Sequence, residues 1–347
     1  MWNSYTPTTS SVTAIYVDQN IITRRTPSLA ITQQITGFND EVIDTALLSL
    51  PSPTASTSSA TTPPLPTFDT HLAVATNSDL IRVYDLERFD TALLEGHEDV
   101  VLCLDKSTDG SVLFSGSKDK TARIWKSRPA SSDIEMDSSS PSSEEGASGK
   151  LEWDCVGICT GHVESVGAIA VSRTLIDKEV SEGRKEGGGF LLTASQDRTV
   201  KMWDLGTLLS SATTPPIDEG PNSLRSLTTL KIHEKDINTL SISPNNALLA
   251  SGSQDRTAKL FRISYAPATK KENSESSGKL VLLGSFVGHK RGVWCVRFSP
   301  IDMCLATASG DRTVKLWNLN DFSCIKVRLL PPFLLLPSLL PSSSSVA

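Results

Sequence analysis

Histidine, a hydroxyl-bearing residue and aspartate recur together four times in this chain, and these are the side chains of a hydrolase triad. In such a triad the histidine takes the proton of an attacking hydroxyl, and the aspartate orients the histidine. The four sets are His97, Ser115 and Asp119; His162, Thr193 and Asp197; His233, Ser251 and Asp255; and His289, Thr307 and Asp311. An active site needs one such set in one pocket, so four equivalent sets indicate a structural repeat. We therefore predict no catalytic residue among them.

The sequence also speaks against a metal or cofactor site. The six cysteines include no C-x-x-C pair, and Cys155 with Cys159 lacks the second pair that a zinc site needs. His71 is the one histidine outside the four sets. The chain contains neither a G-x-x-x-x-G-K-[ST] phosphate loop nor a G-x-S-x-G elbow. We predict no metal, no cofactor and no enzyme.

The spacing of the sets predicts the elements that hold them. In three of the sets, an aromatic residue follows the histidine 28 positions later: Trp125, Phe261 and Trp317. His162 precedes Trp203 by 41 positions, because the 13 residues 177–189 are inserted between two strands. Each unit alternates short apolar runs with turn residues, as in 293–298, 304–309, 313–317 and 322–326. This pattern predicts four strands per repeat.

Four strands, with Gly-His at one end and Trp-Asp near the other, resemble a blade of the WD-repeat (WD40) family. The resemblance implies an all-β propeller of about five to six blades in an incomplete or open ring. In this family the four sets hydrogen-bond with the blade tryptophan, here Trp125, Trp203, Trp317 or, as a departure, Phe261. The expected blades are 37–92, 96–126, 161–205, 233–263 and 288–326, with 1–30 a degenerate blade or irregular segment and 327–347 a disordered or aberrant tail.

Low-complexity segments separate the strands. The loops 51–66, 127–150, 177–189, 208–222 and 266–278 are mostly rich in serine and proline, so we expect disordered inserts. Segment 127–150 carries half of the formal net charge of −6. That overall charge argues against coating nucleic acid by bulk positive charge. No secretory signal or membrane span is evident, so we expect a soluble intracellular protein.

Cations recur directly after the aspartate of each set. These residues share one place in each blade, so we expect them on one face, with two further cations from the loop after His289. The six are Lys120, Arg198, Arg256, Arg312, Lys290 and Arg291. A ring of cations suits phosphate or an acidic peptide. The alternative is that they pair with acids of neighbouring blades.

The residues of the repeats resemble one branch of the family in particular. Segments 37–44, 161–173, 233–261 and 288–326 resemble the second propeller of the transducin-beta-like WD-repeat proteins of the small-subunit processome. The resemblance implies a non-enzymatic scaffold of pre-rRNA processing in the nucleolus. Its implied partners are other processome WD-repeat proteins and, through RNA contacts, precursor rRNA and the U3 box C/D small nucleolar RNA.

A generic adaptor, such as a ubiquitin-ligase substrate receptor, is the alternative. Such receptors often carry Trp-Asp-x-Arg, whereas this chain has Trp203-Asp204-Leu205-Gly206. The repeat pattern stops after Lys326, where an apolar, proline-rich segment follows. Every valine codon begins with GT, so an unspliced intron after Lys326 would be translated with valine first, as at Val327. The hypothesis is a truncated gene model or a retained intron. We therefore expect a truncated propeller with exposed strand edges.

Overall fold

The computed structural model describes residues 12–17, 20–25, 30–50, 70–86, 88, 90–129, 151–173, 178–180, 184–186, 189–209, 220–267 and 275–329. Most residues of the Ser/Pro-rich loops and all but three residues of the segment 327–347 lie outside these ranges, so the disorder expected of them stays a prediction. Apart from one four-residue helix, the regular secondary structure of the described residues is β-strand, so the predicted all-β class is confirmed. In this part of the chain, no helix has the length and apolar composition that crossing a bilayer requires.

Five antiparallel meander sheets follow one another along the chain, and we number them blades 1 to 5. Blade 1 contains β4 (Val42–Leu48), β5 (His71–Thr76), β6 (Ile81–Asp85) and β7 (Thr91–Leu94). Blade 2 contains β8 (Val101–Lys106), β9 (Val112–Ser117), β10 (Ala122–Pro129) and β11 (Leu151–Cys159). Blade 3 contains β12 (Val166–Val171), β15 (Phe190–Ser195), β16 (Thr199–Asp204) and β18 (Ser226–Lys231).

The last two blades are also four-stranded meanders. Blade 4 contains β19 (Ile237–Ile242), β20 (Leu248–Ser253), β21 (Thr257–Ala266) and β22 (Ser277–Val287). Blade 5 contains β23 (Val293–Phe298), β24 (Cys304–Ser309), β25 (Thr313–Asn318) and β26 (Cys324–Leu329). A further three-stranded sheet, β1 (Val12–Val17), β2 (Asn20–Arg25) and β3 (Ala30–Ile35), precedes blade 1.

The hydrophobic core lies between successive blades. The first strands pack side by side, β4 on β8, β8 on β12, β12 on β19 and β19 on β23. All six residues of β9 and all six of β15 are buried, because a neighbouring sheet covers each face. Small residues permit this close packing of neighbouring blades. If Gly252 carried a Cβ atom, that atom would lie only 2.8 Å from the Cγ1 atom of Val293 in the next blade. The sheet β1–β3 joins the same stack through Ile21, which is fully buried against blade 1.

Several segments expected to be loops contain ordered structure. In the insert 177–189, β13 (Lys178–Val180) pairs with β14 (Arg184–Glu186) as a hairpin. Between β16 and β18 of blade 3 lie α1 (Gly206–Leu209) and β17 (Asn222–Leu224), and β17 adds a parallel fifth strand to blade 2. Leu208 and Leu224 pack on the blade 2–3 core there. Loop composition alone carries no signal for these short elements, because tertiary packing decides them.

Blade 5 exposes the face that the other blades bury. Ala250 and Leu260 of blade 4 are buried under blade 5, whereas the equivalent Ala306 and Leu316 are half-exposed. Every residue of β26 is exposed. No strand follows β26 in the described part of the chain. Strand β26 ends at Leu329, three residues beyond residue 326, where we expected the last blade to end.

Candidate functional site

The structure brings each His–Ser/Thr–Asp set together, in blades 2 to 5. His Nδ1 lies 2.7–3.0 Å from the aspartate Oδ2 atom in all four sets. His Nε2 lies 2.7–2.8 Å from the oxygen of Ser115, Thr193, Ser251 or Thr307. The imidazoles and hydroxyls are buried. Each set therefore engages both ring nitrogens in the interior of a blade.

The tryptophans complete three of the four sets. The Nε1–H groups of Trp125, Trp203 and Trp317 donate to the same hydroxyl oxygen over 2.8–2.9 Å. An ionised aspartate can only accept hydrogen bonds. His Nδ1–H therefore donates to the aspartate, and His Nε2 accepts a hydrogen bond from the hydroxyl group. The result is a chain of donors that runs from indole to hydroxyl to imidazole to carboxylate. The side chain of Phe261 has no N–H group, so in blade 4 the chain of hydrogen bonds begins at Ser251.

The environment of each set shifts its pKa values. Burial acts to raise the pKa of Asp119 and of Asp255, but hydrogen bonds from the paired histidine and threonine outweigh it and hold both well below the usual range. Burial lowers the pKa of His162 and of His289, against the opposing pull of their aspartates. The carboxylates therefore stay ionised and these two imidazoles favour the neutral form.

Sequence reasoning missed two further members of each network. A serine two positions before the aspartate, Ser117 in blade 2, accepts the Asp119 N–H and donates to the Asp99 carbonyl. A threonine two positions after it, Thr121, donates to Asp119 from both its N–H and its hydroxyl. The equivalents are Ser195, Ser253 and Ser309 with Thr199, Thr257 and Thr313. The recurring pattern S-x-D-x-T was the available signal.

Polar side chains also link successive first strands. The Asp44 carboxylate of blade 1 accepts the Leu104 N–H of blade 2 over 2.9 Å, and Asp105 accepts the Val171 N–H of blade 3 over 3.0 Å. Burial raises the pKa of Asp44 to about 6, although the hydrogen bonds that it accepts from the Leu104 and Thr45 N–H groups oppose this shift. No periodic pattern in the sequence predicts these contacts, because they depend on the stagger between blades.

All four turn cations lie at the same end of their blades, exposed to solvent. Lys120, Arg198, Arg256 and Arg312 have φ between 65° and 72°, the left-handed region that favours glycine or asparagine. Lys290 and Arg291 are exposed as well. Within the described ranges none of the six forms an ion pair within 4 Å. Pairing with neighbouring acids, the alternative raised above, therefore has no support in the described part of the chain.

The remaining candidate ligands are dispersed. His71 hydrogen-bonds with the Thr70 hydroxyl, and its Nε2 lies 3.8 Å from Asp85. All six cysteines are free thiols. Among the described residues no group of three or more His, Cys, Asp or Glu side chains is arranged to hold a metal ion.

Comparison with known proteins supports the blade assignment. The family model "WD domain, G-beta repeat" matches residues 90–126, 185–204, 224–262 and 280–318. Transducin beta-like protein 3 of Mus musculus is 38% identical over 82% of this chain, and that of Homo sapiens is 38% identical over 81%. U3 small nucleolar RNA-associated protein 13 of Saccharomyces cerevisiae is 34% identical over 65% of the chain.

The matches cover only part of these relatives. The chain spans 28% of the mouse protein, 27% of the human protein and 23% of the yeast protein. The four matched repeats end in blades 2 to 5, the blades that contain the four buried networks. The chain therefore belongs to the WD-repeat (WD40) β-propeller family and is homologous to transducin beta-like protein 3 over most of its length.

Proposed function

We propose that the chain is a non-enzymatic scaffold of the small-subunit processome, which supports pre-rRNA processing through contacts with other processome WD-repeat proteins and with RNA. The observation that carries the proposal is homology to transducin beta-like protein 3 across 82% of the chain. The yeast relative is named for association with U3 small nucleolar RNA. A nucleolar location follows from the same proposal.

The geometry of the networks supports the non-enzymatic part. Each hydroxyl is buried and held between a histidine and, in three blades, an indole N–H. A nucleophile must reach a substrate carbonyl, and these oxygens lie between packed sheets. The same arrangement repeats in four blades, so its common role is to fix the turn and the strand register.

The turn cations support the binding part. A non-glycine residue in the left-handed region costs about 1 kcal/mol or more, and four cations occupy it. Glycine or asparagine would serve the turn better. Exposed, unpaired cations at an equivalent position in four blades are therefore candidates for partner contacts: Lys120, Arg198, Arg256 and Arg312, joined by Lys290 and Arg291.

The test is a tagged pull-down from nuclear extract with sequencing of the associated RNA. We expect enrichment of precursor rRNA and of a box C/D small nucleolar RNA, together with other processome proteins. Recovery of a ubiquitin-ligase core without precursor rRNA would replace the proposal with the adaptor alternative. A tagged Striatin-3, which shares 31% identity over only 37% of this chain, is the matched control for generic WD-repeat binding.

A further inference from the structure

The end of the molecule that carries the turn cations is unevenly charged. In blades 2 to 4 the loop that follows the set histidine contains acids beside the cations of the turn. Blade 5 has Lys290 and Arg291 in that loop and no acid. The acids of the other loops are Glu98, Asp99, Glu164, Glu234 and Asp236. Positive charge is therefore in excess only at blade 5.

A tryptophan lies beside these cations. Trp294 is the second residue of β23, a position held by Leu102, Gly167 and Asn238 in blades 2 to 4. Its indole packs against Gly310: a Cβ there would lie 3.0 Å from Trp294 Nε1 and 3.7 Å from the Arg291 Cβ. Trp294 is half-buried, so part of the residue is accessible to solvent.

Blade 4 adds a further cation to this region. A Cβ at Gly292 would lie 3.2 Å from the Cα atom of Gln254, so the blade 5 loop touches the turn that carries Arg256. We call the resulting surface the basic–aromatic patch. It comprises Arg256, Lys290, Arg291, Trp294 and Arg312.

We propose that the basic–aromatic patch binds an acidic linear segment of a partner protein, with an apolar side chain of that segment on Trp294. This rests on the proposed scaffold function and specifies one of its contacts. Tryptophan and arginine are the residues that dominate binding energy at protein interfaces. Arginine pairs with carboxylates through two parallel hydrogen bonds, which favours an acidic ligand.

The surrounding charges favour a short peptide over RNA. A polyanion that continued past the patch over blades 4 to 2 would meet Glu234, Asp236 and Glu164. Their repulsion limits a ligand to a few residues.

The test measures the fluorescence anisotropy of three labelled probes of similar length as the full chain is added to each. The probes are an acidic peptide with a central leucine, the same peptide with serine in place of leucine, and oligouridylate RNA. We expect the leucine peptide to bind most tightly and its affinity to fall as salt rises. The double variant R291E/R312E should weaken it at least about tenfold, which equals about 1.4 kcal/mol.

Matched variants separate binding from folding. Charge reversal at two exposed cations of strands β21 and β22, R262E/K279E, should change the affinity less than about twofold, and W294F should retain binding that W294A loses. Thermal melting confirms that each variant is folded. Equal loss from both double variants, no binding of the leucine peptide, or tighter binding of the RNA would overturn the inference.

The probes also separate this inference from the proposed function. Patch-dependent peptide binding without recovery of precursor rRNA would leave the inference intact and defeat the processome role. Recovery of precursor rRNA with a patch that binds no acidic peptide would do the reverse.

Discussion

Blades 2 and 4 carry different residues at two equivalent positions, the one before the histidine and the one of the blade aromatic residue. Blade 2 combines Gly96 with Trp125, and a Cβ at Gly96 would lie 3.4 Å from the far edge of the indole. Blade 4 has Ile232 before its histidine and Phe261 in place of the tryptophan, and both are buried in one cluster. The smaller ring leaves room for the isoleucine. The indole is therefore a replaceable part of the network, whereas histidine and aspartate occur in both blades.

The largest effect should come from the part that all networks share. Asp197→Ala removes the acceptor of His162, of the Val163 N–H and of Thr199, and leaves buried donors without partners. We expect the free energy of unfolding to fall by about 3 kcal/mol. Asp255→Ala in blade 4 should cost a similar amount in chemical denaturation. A cost below about 1 kcal/mol in both blades would contradict a structural role.

Removing the indole should cost less. Trp125→Phe eliminates the N–H donor to Ser115 and leaves a space beside Gly96. We expect a loss of about 2 kcal/mol, measured by urea unfolding. Refilling that space is the control: Gly96→Ala in the Trp125→Phe background should recover little, because Gly96 has φ of 148°. A cost as large as that of Asp197→Ala would mean that the indole is as essential as the carboxylate.

The coupled pair in blade 4 offers a sharper comparison. Phe261→Trp alone should destabilise by about 1–2 kcal/mol, because the larger ring meets Ile232. Adding Ile232→Gly should make room for the ring and its hydrogen bond to Ser251. A double-mutant cycle should show favourable coupling of about 1 kcal/mol. Additive effects would contradict the packing explanation.

The imidazoles allow a test by pH. Burial lowers the folded-state pKa of His162 and His289, so both rings stay neutral in the fold when unfolded histidine becomes protonated near pH 6.5. Their contribution to stability is present above that pH and declines as pH falls toward the folded pKa. Asp44, with its pKa raised to about 6, contributes in the opposite sense. NMR titration of the ring protons should therefore find both midpoints below 6.5, and a midpoint above it would contradict the assignment.

The smallest effect on stability should come from the turn cations. Arg256→Gly removes the charge at φ of 72°, where glycine is unstrained. Relief of strain and the added backbone entropy of the unfolded chain nearly cancel, so we expect a change within about 1 kcal/mol in thermal unfolding. A larger loss would show that the side chain stabilises the blade and would remove the argument that it serves binding.

Much of this fold could be predicted because it repeats. The spacing from His289 to Trp317 and the strand β23 (Val293–Phe298) follow from periodicity that four units share. Elements that occur once were missed: β17 joins blade 2 from the far side of an insert, and Asp44 reaches the Leu104 N–H across a blade boundary. The left-handed turn was also hidden, since arginine has no preference for it. Repetition carries information that single tertiary contacts lack.

The central claim is that the buried networks hold the blades while the turns outside them bind partners. Its most direct test is recovery of precursor rRNA from nuclear extract by the chain with Lys120, Arg198, Arg256 and Arg312 all changed to Asn, which suits the left-handed turn. We predict an unfolding midpoint no lower than that of the unmodified chain and at least about tenfold less precursor rRNA than the unmodified chain recovers. Undiminished recovery by the folded variant would contradict it.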